Sequence, residues 1–189
     1  MGLRWEWRTF GDRFGPADSR LETVGIDSVV ESDETYLLSA AGRDVVKVRA
    51  GMMDIKHLER VDDHGLELWR PVMKAPMPIS TADARTVLAA LGVRASLTRS
   101  TYDLSGIAGA TSAILVVRVH KRRRHFTFAG CMAELTDVRT ADRSTRTLAI
   151  ESERPARVIA AVRKLGLDAG PNTSVPRGLS AIVRTRVRP

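Results

Sequence analysis

Charged side chains recur at every second position in several short stretches of this sequence. Arg4, Glu6 and Arg8 alternate with Leu3, Trp5 and Trp7; Lys47 and Arg49 with Val46 and Val48; Asp54 and Lys56 with Met53 and Ile55. Further on, Lys121 and Arg123 share one phase while Arg118, His120, Arg122 and Arg124 share the other, and Glu151 and Glu153 alternate with Leu148, Ile150 and Ser152. In an extended strand successive side chains point to opposite faces, so each stretch presents one charged face. Arginine and lysine donate to phosphate or carboxylate oxygens. Carboxylates on alternate positions hold hard cations such as Mg²⁺ or Mn²⁺, which bridge phosphates. The mixture of signs therefore suits a metal-complexed polyanion. An antiparallel sheet with one face in solvent would give the same alternation without any function. Closing the sheet with its charges inward would instead set them between walls of low dielectric, where each holds a polyanion more strongly.

Composition narrows the partners. The chain has 189 residues and a net charge of +8, and only 5% of its residues are aromatic. Anionic partners are expected, but the scarcity of rings disfavours nucleic acid, whose bases need stacking platforms. One cysteine, Cys131, excludes an internal disulfide framework, and the first residues, Met1 to Phe10, lack the apolar run of a signal peptide. No stretch is apolar for the length a bilayer requires, so a reducing cytoplasm is the expected address and no membrane partner is expected.

The elements that must carry these faces are mostly strands. Alternation marks Leu3 to Phe10, Thr35 to Ala40, Arg43 to Ala50, Met52 to Glu59 and Gly65 to Val72, then Thr111 to Arg124, Phe126 to Ala129, Cys131 to Val138 and Arg146 to Glu153. Two helices are predicted: Ser80 to Leu91, opened by the Ser80/Asp83 capping pair and stopped by Gly92, and one opened by Pro155 and ended by Gly166. About eight strands with helices packed outside make an α+β chain whose antiparallel sheet is closed, or nearly closed, into a barrel forming a tunnel. Residues 1–189 are expected to form a single domain.

In order and spacing, Lys47-Val48-Arg49, the strand from Val119 to Phe126 with its Lys121-x-Arg123, Glu151-x-Glu153 followed directly by a helix, and Asn172-Thr173-Ser174 resemble the CYTH superfamily of triphosphate tunnel proteins. The resemblance runs from the first strand to about Leu179. It implies hydrolysis of a terminal phosphoanhydride by water, on inorganic triphosphate, a nucleoside triphosphate or polyphosphate. It further implies that Glu6, Glu134, Glu151 and Glu153 hold the cation, that Arg8, Lys47, Arg49, Lys121 and Arg123 hold phosphates, and that Lys56 positions or activates water, unless Lys56 is simply paired with Asp54. The first strand departs from the family's Glu-x-Glu-x-Lys, because Arg4 stands where a carboxylate is expected; Arg4 suits phosphate rather than metal. That departure keeps a non-catalytic polyphosphate- or nucleotide-binding module open as an alternative, with RNA binding by outward arginines a third.

Overall fold

Hydrophobic alternation decides which way each wall faces. The structure is a computed structural model describing residues 2–168 and 170–184, with Arg184 described by its backbone only. Eight strands, β1 (Arg4–Gly11), β2 (Ser28–Leu38), β3 (Val45–Arg49), β4 (Met52–Val61), β5 (Glu67–Pro76), β8 (Leu115–Phe128), β9 (Cys131–Arg139) and β10 (Ser144–Ser152), close into an antiparallel barrel in the order β1-β10-β9-β8-β2-β3-β4-β5. β6 (Ile79–Ser80) and β7 (Thr101–Tyr102) pair separately outside it.

The apolar phase of the wall points outward, beneath helices. Trp5, Trp7, Leu135, Leu148 and Ile150 pack against Leu21 of α1 (Pro16–Val24) and against Val158, Ala161 and Leu165 of α4 (Pro155–Leu165). Val46, Met53 and Ile55 meet Ala84, Val87 and Leu88 of α2 (Thr81–Ala90) and Ile107 of α3 (Leu104–Ala108). Each large side chain so buried contributes about 1.5–3 kcal/mol, and this exterior packing frees the inner face to be polar. α4 begins with Pro155 and ends at Gly166 in the left-handed conformation, as its sequence predicts.

One end of the barrel is closed. On the inner phase Tyr36, Leu38, Val117, Val119 and Val138 surround Leu179, which is fully buried on α5 (Val175–Arg184). Gly178 permits this approach, since a Cβ there would lie 2.3 Å from the Phe10 ring. The seam beside β1 is short: β1 pairs with β5 only from Arg4 to Glu6. Beyond it the Asn172 side chain donates to the Glu6 carbonyl (3.1 Å) and the Gly65 carbonyl (2.8 Å) and accepts from the Arg8 amide (2.8 Å). The Thr173 amide donates to the Arg8 carbonyl at 2.7 Å, so residues 172–173 replace the missing strand edge.

Several elements differ from the sequence reading. β2 starts at Ser28 rather than Thr35, β8 runs unbroken to Phe128, and α1, α3 and α5 were not predicted. Among the described residues no helix is long and apolar enough to cross a membrane.

Candidate functional site

Alternation along β2, β3 and β8 gathers most of the site around one carboxylate. Glu34 is fully buried on the inner face; its Oε1 lies 2.6 Å from Arg123 Nη2, 3.3 Å from Lys47 Nζ and 3.6 Å from Arg49 Nη1. Its Oε2 lies 3.5 Å from Lys121 Nζ and accepts the Tyr36 hydroxyl at 2.7 Å, while Lys121 donates to the Tyr36 oxygen at 2.7 Å. Burial alone would raise the Glu34 carboxyl, but Lys121, Lys47, Arg123 and Tyr36 outweigh it and hold it at about 2. Burial also lowers the Lys121 ammonium to about 7, against the pull of Glu34 and with help from Arg123 and Arg8.

A second group lies on β1, β9 and β10. Arg8 Nε donates to Glu6 Oε1 at 2.7 Å, and its Nη1 reaches Thr147 Oγ1 (3.0 Å) and Glu134 Oε1 (3.4 Å). Glu134 Oε1 accepts from Thr136 (2.7 Å), and its Oε2 lies 3.5 Å from His125 Nε2 and 3.6 Å from Arg123 Nε. Arg123 thus joins the two groups. Despite burial, His125, Arg8 and Arg123 keep the Glu134 carboxyl well below the usual range.

The third group is a carboxylate pair. Glu6 and Glu151 stand opposite each other in the β1–β10 register, with the Lys56 charge acting on both. Burial and then Glu6 push Glu151 up to about 7, whereas Arg8 and Lys56 overcome burial to keep Glu6 low. Lys56 has no carboxylate within ion-pair distance among the described residues, so it is not tied to Asp54.

Two solved structures share this barrel. An adenylyl cyclase candidate from Hippeastrum, described as having a dominant triphosphatase activity, superposes with a TM-score of 0.57 over 98% of both chains at 10% identity. An adenylate cyclase candidate from Bacillus halodurans gives a TM-score of 0.51 over 93% of this chain and 97% of its own, at 11% identity. The chain shares its fold with these two proteins. No protein-family model and no curated protein matches the sequence.

The four carboxylates that the resemblance assigns to a cation do not all lie together in this barrel. Among the described residues no three His, Cys, Asp or Glu side chains converge as metal ligands. Glu134 is engaged by Arg8, Arg123 and His125, and Glu153 lies exposed just past the end of β10. Glu6 and Glu151 remain. Two carboxylates facing each other fit an ion such as Mg²⁺, which takes one or two carboxylates and completes its shell with water and phosphate oxygens. Arg4 sits at the open mouth, its Nη1 4.0 Å from Met132 Sδ, and the Arg49 side chain is 42% exposed there.

The sequence reading missed Glu34, Tyr36, Thr136, Thr147 and Glu67 as inward groups. Glu67 pairs with Arg177 of α5 at 2.5 Å; its other oxygen and the Trp69 indole nitrogen are buried without a partner among the described residues. Burial raises the Glu67 carboxyl to about 7 although Arg177 pulls it down.

Proposed function

We propose that the barrel binds the phosphate chain of a triphosphate or polyphosphate together with Mg²⁺ or Mn²⁺ and hydrolyses a phosphoanhydride bond. The observation that carries this reading is the convergence of Lys47, Arg49, Lys121 and Arg123 on the single buried carboxylate of Glu34. So many cations around one carboxylate leave positive potential in an enclosed space, and a phosphate chain supplies the missing charge.

Lys121, Arg123, Lys47 and Arg49 hold the phosphates on one side of the barrel, and Arg8 reaches them from the other. Glu6 and Glu151 would hold the cation, which would supply positive charge to neutralise the phosphate chain. Lys56, unpaired beside Glu6 and Glu151, orients the attacking water. Little covalent help is required, because positioning and charge neutralisation of a loose phosphoryl transition state lower the barrier.

A second reading, binding without turnover, is favoured by Arg4 in place of a carboxylate and by the lack of a three-ligand cluster among the described residues. The external arginines give little support to RNA binding: Arg122 pairs with Glu31 and Arg124 with Asp137. The deciding experiment measures phosphate release from inorganic triphosphate, nucleoside triphosphates and polyphosphate with each divalent cation, beside calorimetric binding of the same compounds. Cation-dependent release supports the enzyme; binding without release supports the module; neither overturns both.

A further inference from the structure

A pocket of about 430 Å³ opens at the barrel mouth between the β8–β9 turn and the start of α4, lined by Arg4, Arg154, Arg157, Glu151, Cys131 and Met132 among others. Glu151 also faces Glu6 inside the barrel, so the pocket borders the interior. Arg157 lies over the turn, its Nη1 3.6 Å from where a Cβ on Gly130 would stand.

Among the described residues Arg4, Arg154 and Arg157 have no carboxylate within ion-pair distance; Arg122, Arg124, Arg146 and Arg70 each have one. The Arg4, Arg154 and Arg157 guanidiniums, none in a direct ion pair, line a cavity that Glu151 and Glu153 also line, and their forked donors suit phosphate oxygens. The pocket has no ring on which a base could stack. All nine aromatic side chains, from Trp5 to Phe128, are described; each is buried or half-buried, and none lines the mouth.

We infer that this pocket is an exit subsite for further phosphate groups of a chain whose end occupies the barrel, so that inorganic polyphosphate longer than triphosphate is the preferred ligand. The inference rests on the triphosphate-tunnel reading above. A terminal phosphate group lies among Lys121, Arg123 and Arg8, the chain passes Glu151, and the following groups meet Arg4, Arg154 and Arg157. A nucleoside triphosphate would place an uncharged sugar and base against the same guanidiniums and gain nothing from them.

The test titrates inorganic triphosphate, a longer inorganic polyphosphate and ATP into the wild-type chain, the Arg154→Ala/Arg157→Ala variant and an Arg163→Ala/Lys164→Ala control of equal charge at the far end of α4, each checked by circular dichroism. The longer chain is expected to bind the wild type at least about tenfold more tightly than triphosphate, ATP no more tightly than triphosphate. In Arg154→Ala/Arg157→Ala the advantage of the longer chain should fall by about threefold or more while triphosphate affinity stays within about twofold, with the control unchanged. An unaltered advantage, or an equal fall in the control, overturns the subsite while leaving the tunnel reading intact. Tighter binding of ATP that disappears in Arg154→Ala/Arg157→Ala would assign the pocket to a nucleoside and overturn it too. Wild-type protein that binds none of the three overturns the tunnel reading, and the subsite with it.

Discussion

Arg123 Nη2 lies 2.6 Å from Glu34 Oε1, and the same guanidinium reaches Glu134 Oε2 through Nε at 3.6 Å. Glu34 therefore occupies cations that a phosphate chain would claim. Glu34→Gln removes that competition and leaves Lys47, Lys121 and Arg123 facing one another. Breaking a buried cluster in this way is expected to cost about 3 kcal/mol of stability. Triphosphate affinity should rise by about tenfold, and the ligand should restore much of the lost stability. Thermal melts with and without triphosphate check both; weaker binding by Glu34→Gln would show that the carboxylate helps to hold the ligand.

The two phases of β8 offer an internal comparison. Lys121 and Arg123 are buried on the inner face, whereas Arg122 and Arg124 pair outside with Glu31 and Asp137. Lys121→Ala and Arg123→Ala are expected to lose about 1.5–3 kcal/mol of triphosphate binding, and Arg122→Ala and Arg124→Ala less than about 1 kcal/mol. Calorimetry on the four variants, each verified as folded, decides it. Equal losses across the four would mean diffuse attraction.

Glu151 faces Glu6 inside the barrel, while Glu153 is exposed beyond the strand end. Glu151→Gln is expected to lower cation-dependent phosphate release by at least about tenfold, since a ligand charge worth more than about 1.4 kcal/mol is lost. Glu153→Gln should cost less. Rates measured across a Mg²⁺ titration separate the two, and an unchanged rate and cation dependence in Glu151→Gln would falsify the assignment.

Glu67 gives the fold a pH dependence. Its carboxyl titrates at about 7 when folded, because of burial, and near 4.5 when unfolded. Between those values the folded chain holds the extra proton, so stability is greatest below about 4.5 and falls as pH rises through 7. The shift corresponds to roughly 3 kcal/mol. Glu151 acts in the same window and direction, so the test is the difference between wild type and Glu67→Gln: the variant should lose the smaller amount of stability from pH 4.5 to 7 in denaturant melts. Parallel curves would place Glu67's burial cost elsewhere.

The charged phases of β1, β3, β4, β8 and β10 were legible because apolar partners alternated with them: Trp5 and Trp7 against Glu6 and Arg8, Val46 and Val48 against Lys47 and Arg49. Glu34 was hidden by its neighbours. Glu31, Asp33 and Glu34 follow one another closely and look like a solvated loop, yet Ser28 to Tyr36 form one continuous strand along β8. The usable signal was the phase of Ser32, Glu34 and Tyr36 once that pairing is known, which a single strand cannot reveal. α5 was obscured for a different reason. Pro176 and Gly178 read as breakers, but Gly178 is there because the Phe10 ring leaves no room for a side chain.

The stitch of Asn172 and Thr173 across the β1–β5 seam also bears on the order of assembly. β1 precedes the other strands, yet apart from its three-residue pairing with β5 its partners are β10 and residues 172–173, so on a ribosome most of its edge, and the helix α4 that covers Trp5 and Trp7, must wait for the end of this barrel to emerge. The β2–β3–β4–β5 meander can pair locally in the meantime, and closure of the ring becomes the late, long-range step that sets the folding rate.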